Sequence, residues 1–208
     1  MINIKRWWPL TLGGAAFALA LAIALAFAVT YRARAEAARY LRLVIPLRIG
    51  TSYDVAAAQL RNANLPMRAA SGDCHLDCSL SFLVGDKWLY KLHLAPPVGF
   101  SGRLDFRKGT LVYKSTSLGQ DPMVWSATVS EGSPGFGSLV PGLHGTQDSS
   151  GNVRHLSVHL SPSDFTEYRN RSYTFNLACI GSIKPCRADE YLPINDLKRL
   201  SPQITSPD

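Results

Sequence analysis

No acidic residue occurs in the first 35 positions of the chain, and the 22 residues from Pro9 to Thr30 carry no charge of either sign. A helix of that length would extend about 33 Å, which is enough to cross a hydrocarbon core of about 30 Å. Lys5 and Arg6 precede the segment, and the tryptophans at its start suit the headgroup layer. The sequence therefore predicts a transmembrane anchor over residues 9–30, behind a cytoplasmic tail of residues 1–8.

Cysteine is absent before Cys74, which excludes a lipid-modified cysteine as the anchor in this segment. A cleaved signal peptide is the main alternative, because small residues flank Phe27 and Arg34 in the order that signal peptidase accepts. The apolar run exceeds the core of about 7–15 residues that is typical of such peptides. We therefore favour an uncleaved anchor over a cleaved peptide, and both over a buried helix of a soluble protein.

A stripe of small residues runs along the anchor at four-residue spacing. Such a stripe allows two helices to approach closely and predicts a homodimer formed through the anchor. A second, equivalent stripe follows from the alternation of alanine and leucine, so an alanine-rich anchor without a partner is the favoured interpretation. The first stripe consists of Gly14, Ala18, Ala22 and Ala26.

The orientation of the anchor depends on two observations that disagree. Arg32, Arg34, Arg39 and Arg42 follow the anchor, against two basic residues before it, and this count alone would place the following domain in the cytoplasm. The short tail before the anchor and a cysteine pattern typical of an oxidising compartment favour the opposite orientation. We predict a bacterial inner-membrane protein with its domain in the periplasm or outside the cell.

Charge beyond the anchor is nearly balanced. Four of the 22 Lys and Arg residues lie in the first 35 positions with none of the 15 acidic residues, so the remainder carries a net charge of only +3. It contains no block of basic residues interleaved with aromatic residues, which argues against a nucleic-acid partner. The lipid bilayer around residues 9–30 is the first partner that the composition predicts.

The four cysteines form two local pairs in the sequence. Cys74 and Cys78 enclose a three-residue loop, and Cys179 and Cys186 enclose a loop containing glycine and proline. We favour these two disulfides over the other two pairings, over free thiols and over a zinc site with His75, because zinc ligands are usually spaced two to four residues apart. We expect neither a metal nor a cofactor.

Apolar residues alternate with polar residues along most of the remaining chain, a pattern typical of half-buried strands. A capping box at Thr51 and Asp54 begins a helix over about 53–63, with Val55, Ala56, Leu60 and Ala63 on its buried face. The predicted strands are Tyr40–Ile49, Leu80–Val84, Trp88–Leu94, Leu104–Phe106, Leu111–Tyr113, Met123–Val129, Leu156–Leu160 and Tyr173–Cys179. The fold class is α+β, an antiparallel sheet packed on a short helix.

The chain divides into three parts after the anchor. Residues 31–39 form a charged stalk, residues 40–192 form a single extracytoplasmic domain, and residues 193–208 form a proline-containing tail that we expect to be disordered. Within the domain, residues 130–151 are rich in glycine and predict a long binding loop.

Four residues in or near this loop are the candidate binding residues: His144, Asp148, His155 and His159. His155 and His159 share the outer face of a predicted strand, about 13 Å apart at normal strand rise. Exposed polar residues explain them more simply than a proton- or metal-responsive patch. Asp164 and Glu167 fit the first turn of a helix better than a catalytic pair.

No catalytic or nucleotide-binding motif occurs: there is no Gly-x-Ser-x-Gly, no phosphate-binding loop and no His-Glu-x-x-His. We therefore predict a non-enzymatic membrane protein whose domain binds a protein or an envelope polymer. The alternative is an envelope hydrolase with a site under the 130–151 loop that uses His144, Asp148 or His155. A signalling sensor is the least favoured interpretation, because few residues precede the anchor.

Overall fold

A computed structural model of the protein describes residues 8–63, 68–85, 87–120, 125–133, 141–161, 164 and 166–200. Its helices are α1 (Trp8–Val44), α2 (Tyr53–Asn62), α3 (Lys87–Lys91), α4 (Thr166–Ser172), α5 (Ala188–Tyr191) and α6 (Ile194–Leu200). Its strands are β1 (Arg68–Ser71), β2 (Asp77–Gly85), β3 (Val98–Arg107), β4 (Thr110–Gln120), β5 (Ser126–Gly132), β6 (Gly142–Gln147) and β7 (Val153–Leu160).

The seven strands form one sheet in the order β1-β2-β3-β4-β5-β7-β6. Each pair is antiparallel except β5 and β7, which run parallel because β6 lies at the sheet edge beyond β7. The turn between β3 and β4 uses Lys108 and Gly109, both with positive φ, which suits a two-residue hairpin loop. The α+β class is confirmed.

One face of the sheet forms the hydrophobic core. Phe82 on β2, Phe100 on β3, Leu118 on β4 and Val158 on β7 all point to this face, and helices cover it. Each strand contributes alternate residues, because successive side chains point to opposite sides of a sheet. The opposite face is therefore free to carry polar side chains.

Helix α1 is longer than the anchor that the sequence predicts. Its first part, from Gly13 onward, is long and apolar enough to cross a membrane, and no other helix in the described part of the chain has this property. Side chains on that first part are exposed, whereas Ala33, Ala37, Tyr40 and Val44 are buried in the core. The predicted stalk of residues 31–39 is thus helical, but one side of it packs against the domain.

The predicted strand over Tyr40–Ile49 is wrong: helix α1 continues to Val44 and is followed by a turn. Ala33, Ala37, Tyr40 and Val44 are spaced by three or four residues, which is helical periodicity. Pro46 lacks the N–H that would continue the helix, so the helix ends just before it. The ring of Tyr40 stacks on Phe82, with 4.7 Å between centroids.

A buried ion cluster holds the C-terminal end of helix α1. Lys114 Nζ donates hydrogen bonds to the carbonyl oxygens of Val44 (3.0 Å) and Leu47 (2.5 Å), and Arg169 also donates to Leu47 O. Glu131 lies between the two cations, with its Oε2 atom 3.2 Å from Lys114 Nζ and 2.7 Å from Arg169 Nη2. The cations satisfy the carbonyl groups that a helix end leaves unpaired.

Two further strand predictions are wrong. Residues 87–91 form helix α3, and Trp88 and Tyr90 are exposed rather than alternating into the core. Residues 173–179 form an extended turn and a short 3-10 helix, Leu177–Cys179, so Tyr173 and Cys179 are buried without strand pairing. Both stretches alternate in sequence, but neither pairs with a neighbouring strand.

Helix α2 is confirmed, although its capping differs from the prediction. Ser52 is the N-cap and makes no side-chain cap, while Thr51 Oγ1 donates to Arg48 O instead. The buried residues are Ala56, Ala57 and Leu60, and Val55 is exposed. The helix ends at Asn62, and Ala63, which the sequence placed on the buried face, is its C-cap.

The C-terminal tail begins with structure where disorder was expected. Residues 194–200 form helix α6, and its Leu197 is fully buried in the core. The rest of the predicted tail, residues 201–208, lies outside the described residues, as do Met123 and Trp7.

The predicted loop over residues 130–151 is wrong in part. Its first residues belong to strand β5, and Gly142–Gln147 form strand β6. Residues 134–140 lie outside the described residues.

Candidate functional site

The face of the sheet opposite the core carries hydroxyl and imidazole side chains across four neighbouring strands. Strand register aligns them in rows: Ser117, Thr128, Ser157 and His144 lie opposite one another across β4, β5, β7 and β6. We call this set the hydroxyl–imidazole face. It comprises Ser115, Ser117, Ser126, Thr128, Ser130, His144, His155, Ser157 and His159.

Two serine–histidine pairs connect strands β5 and β7 on this face. Ser126 Oγ lies 2.6 Å from His155 Nδ1, and Ser130 Oγ lies 3.1 Å from His159 Nδ1. The pairs repeat after four residues because β5 and β7 are parallel and in register. Which atom donates in each pair depends on the imidazole tautomer.

The two histidines lie in a partly dehydrated environment. Burial lowers the pKa of His155, and burial followed by the nearby charge of His144 lowers the pKa of His159, opposed by the carboxylate of Asp164. Both imidazoles are therefore neutral at neutral pH, and each has one donor and one acceptor nitrogen. The face therefore offers both hydrogen-bond donors and hydrogen-bond acceptors, and these two rings carry no charge.

Hydroxyl groups extend the face toward strand β4. Ser117 Oγ and Thr128 Oγ1 are 2.8 Å apart, and both side chains are partly exposed. Beyond them on β3, the exposed Arg103 donates to Asp105 Oδ1 at 2.7 Å, and Ser79 donates to the same oxygen. The result is a broad polar surface with an ion pair toward one side.

The structure brings three of the four predicted binding residues to this face. His144 is exposed and lies opposite Ser157 on the neighbouring strand, and His155 lies two residues before Ser157, opposite Thr146. His159 was expected to be exposed but is only 9% accessible. Strand alternation alone places this side chain on the solvent side, whereas in the fold its ring lies against Ser130, with 3.1 Å between Nδ1 and Ser130 Oγ.

Asp148, the fourth predicted residue, stabilises the turn between β6 and β7. Its Oδ1 atom accepts hydrogen bonds from the backbone N–H groups of Ser150 and Asn152, and Arg154 pairs with Oδ2 at 3.3 Å. The hydrogen bond from Asn152, followed by that from Ser150, lowers the pKa of Asp148. These bonds occupy the carboxylate, so Asp148 acts as a turn residue.

Asp164, which was considered as a catalytic carboxylate, and the four cysteines also have structural partners. Asp164 accepts a hydrogen bond from Ser161 N–H at 2.7 Å. The structure contains both disulfides favoured from the sequence, Cys74–Cys78 and Cys179–Cys186. Among the described residues no three His, Cys, Asp or Glu side chains are placed to hold a metal ion.

The Ser130–His159 pair resembles two members of a hydrolytic triad in composition. A nucleophilic serine also needs an orienting group on the histidine and donors for the oxyanion. The same pairing is repeated at Ser126 and His155, which indicates a ladder of cross-strand hydrogen bonds. The repeat therefore favours a polar surface over a single reactive serine.

Sequence reasoning singled out the histidines but not the hydroxyl groups beside them. A signal for them exists: serine or threonine occupies alternate positions at 115–117, 126–130 and 157. The alignment of these runs across neighbouring strands depends on the parallel β5–β7 pairing. That pairing cannot be deduced from alternation within one strand.

Comparison with models of known protein families, with curated proteins and with solved structures finds no match to this chain.

Proposed function

We propose that this protein is a membrane-anchored binding protein, whose extracytoplasmic domain holds a protein or an envelope polymer on the hydroxyl–imidazole face. The observation that carries the proposal is the alignment of Ser117, Thr128, Ser157 and His144 in one row across four strands. A row of this kind presents donors and acceptors at regular strand spacing of about 4.8 Å.

The form of the face favours an extended partner over a small ligand. Small-molecule sites are concave and mostly apolar, with few polar groups. The hydroxyl–imidazole face follows a sheet and is polar throughout its width. Neutral hydroxyl and imidazole groups can bind peptide amides or sugar hydroxyls, which occur in proteins and in envelope polymers respectively.

Membrane anchoring supports the same proposal. The apolar first part of helix α1 is suited to cross a bilayer, and the two disulfides are typical of domains in an oxidising compartment. The proposed location is the inner membrane of a bacterium with the domain in the periplasm. The partner would then be a component of the same envelope.

Site-specific photo-crosslinking in the source cell tests the binding proposal. A photoreactive residue replaces Ser157 on the face in the full chain, and a matched control places it at the exposed Val55 on helix α2. We expect a defined crosslinked species from position 157 that disappears with Ser117→Arg and persists with Val55→Arg. Equal crosslinking from both positions, or no effect of Ser117→Arg, would contradict the proposal.

An envelope hydrolase is the second candidate, and the Ser130–His159 hydrogen bond is the observation that favours it. The same purified full chain can be assayed with ester and amide substrates. Activity that is lost in Ser130→Ala and retained in Ser126→Ala would replace the binding function by a hydrolytic one. Ser126→Ala is a close control, because it removes the equivalent hydroxyl of the repeated pair.

A further inference from the structure

Large apolar side chains are exposed in the segment that follows strand β2. Trp88 is 62% exposed, and Tyr90, Leu92 and Leu94 are each exposed by 50% or more. The sequence from 87 to 98 contains no acidic residue, whereas Lys91 is exposed beside the apolar groups. Exposed aromatic and aliphatic residues grouped in this way mark an interaction surface.

This segment lies at the end of the domain from which helix α1 emerges. Tyr40 stacks on Phe82, and the three residues from Phe82 to Gly85 cover about 10 Å of strand. The same distance along helix α1 covers about seven residues, which from Tyr40 reaches Ala33. Helix α3, which begins two residues after strand β2 ends, contacts helix α1 directly.

The loop closed by Cys179 and Cys186 lies against the same part of helix α1. Arg34 donates hydrogen bonds to the carbonyl oxygens of Ala178 (2.8 Å) and Ile180 (2.9 Å), which fixes the loop beside the helix. At its tip Ile183 is 75% exposed. Apolar residues from two separate loops therefore flank the base of the same helix.

One side of helix α1 packs against the domain from the point where the charge-free segment ends. Thr30 is the last residue of that segment and is already 95% buried, at 5% exposure, while the neighbouring Tyr31 is exposed. A span that crosses the hydrocarbon layer up to Thr30 leaves no free stalk between bilayer and domain. The residues around the base of the helix must then meet the headgroup layer.

We propose that the 88–94 segment and the tip of the 179–186 loop rest in the headgroup layer of the bilayer that helix α1 crosses. The inference rests on the membrane anchoring proposed above and adds a second contact with the same membrane. Tryptophan and tyrosine favour this layer, and Lys91 and Lys184, both exposed, attract anionic lipids. The domain is thereby held in one orientation on the membrane.

A bilayer fits these residues better than a second protein. The apolar side chains lie where the anchor enters the bilayer. Lipid can therefore contact them without the binding of a second protein. The 180–187 stretch also contains no acidic residue, like the segment from 87 to 98. Two acid-free segments that both contact the same helix suit a lipid surface, which presents the same chemistry to both.

Fluorescence quenching of the full chain in nanodiscs tests the contact. The discs contain phosphatidylcholine and phosphatidylglycerol, with a portion of the phosphatidylcholine carrying a nitroxide on its headgroup. Trp7→Phe, Trp8→Phe and Trp125→Phe leave Trp88 as the sole tryptophan. The matched control adds Trp88→Phe and Leu76→Trp, which moves the tryptophan to an exposed site about 26 Å away, beyond the other end of strand β2.

We expect the nitroxide lipid to remove at least half of the Trp88 emission and to leave the Leu76→Trp emission nearly unchanged. Co-elution of the chain with the discs tests anchoring by helix α1 separately, so failure of the anchor is distinguished from failure of this contact. Anchored protein with unquenched Trp88, or with both positions quenched equally, would overturn the proposal. Intact disulfides by mass spectrometry verify that each variant is folded.

Discussion

Glu131 is the centre of the buried ion cluster that secures the end of helix α1. Among the described residues it is the carboxylate that pairs with both Lys114 and Arg169, and all three side chains are 4% exposed or less. Burial lowers the pKa of Lys114 to about 8, and burial raises the pKa of Glu131 against the opposing effect of Lys114. The lysine is therefore still charged at pH 7, and both cations depend on one carboxylate.

Glu131→Gln should strongly destabilise the domain. The substitution keeps the shape of the side chain but leaves two buried cations without a counterion, and breaking a buried pair in this way costs about 3–5 kcal/mol. Chemical unfolding of the full chain in detergent measures the change. Glu167→Gln is the matched control: its contact with Arg171 is 3.9 Å long and exposed, so it should change the free energy of unfolding by less than about 1 kcal/mol. Equal changes in the free energy of unfolding for the two substitutions would show that the buried ion cluster does not stabilise the domain.

Single residues of this kind could be predicted from the sequence only in part. The histidines and the local cysteine pairs stand out by residue type and spacing. Lys114 does not, because it occupies a core-facing position in an alternating strand where an apolar residue is the usual choice. Its burial is explained by Glu131 and by the carbonyl groups of Val44 and Leu47, which lie 70 and 67 residues earlier in the chain.

At the scale of elements, helix α1 approaches the sheet closely at a glycine. An added Cβ atom at Gly102 would lie 2.3 Å from Cζ of the Tyr40 ring. The ring cannot move aside easily, because it stacks on Phe82 and meets Phe100 edge-on. The absence of a side chain at Gly102 therefore allows helix α1 to pack closely against strand β3.

Gly102→Ala should loosen the packing of helix α1 on the sheet. Overpacking of a filled core costs about 1–3 kcal/mol, which thermal unfolding of the full chain would record as a lower Tm. Gly99→Ala, three residues earlier on the same strand, is the control: there the added Cβ atom would meet Val84 O at 3.5 Å, an ordinary contact. A tolerated Gly102→Ala would show that helix α1 does not dock as the structure describes.

Prediction of elements from the sequence succeeded where alternation coincided with strand pairing. Strands β2, β3, β4, β5 and β7 were expected from their alternating residues, and helix α2 from its apolar face. Residues 88–94 alternate as well, yet their apolar side chains face outward. Alternation indicates two different faces, but which face is buried depends on neighbouring strands that a local pattern does not reveal.

At the scale of the whole molecule, anchor and domain form a continuous unit. Helix α1 supplies both the apolar membrane segment and the buried residues Ala33, Ala37 and Tyr40 of the core. The sequence divides these parts after Thr30, because hydropathy falls there and the first charged residue, Arg32, follows closely. The physical boundary differs, since alanines in a charged stretch can still face a core on one side of a helix.

The disulfides favour an extracytoplasmic domain, whereas the arginines after the anchor favour a cytoplasmic one. The disulfides decide the orientation if these arginines serve the folded structure instead. Arg34 binds the carbonyl groups of Ala178 and Ile180, and Arg32 pairs with Glu36 at 2.9 Å, so both take part in the folded domain. Two of the four arginines after the anchor thus have structural partners that do not depend on a cytoplasmic location. We expect alkaline phosphatase fused after Asp208 to be active, because this enzyme folds only where disulfides form. All four cysteines should also resist alkylation before reduction. An inactive fusion together with fully labelled cysteines would place the domain in the cytoplasm, and an active fusion with labelled cysteines would retain the orientation but refute the disulfides.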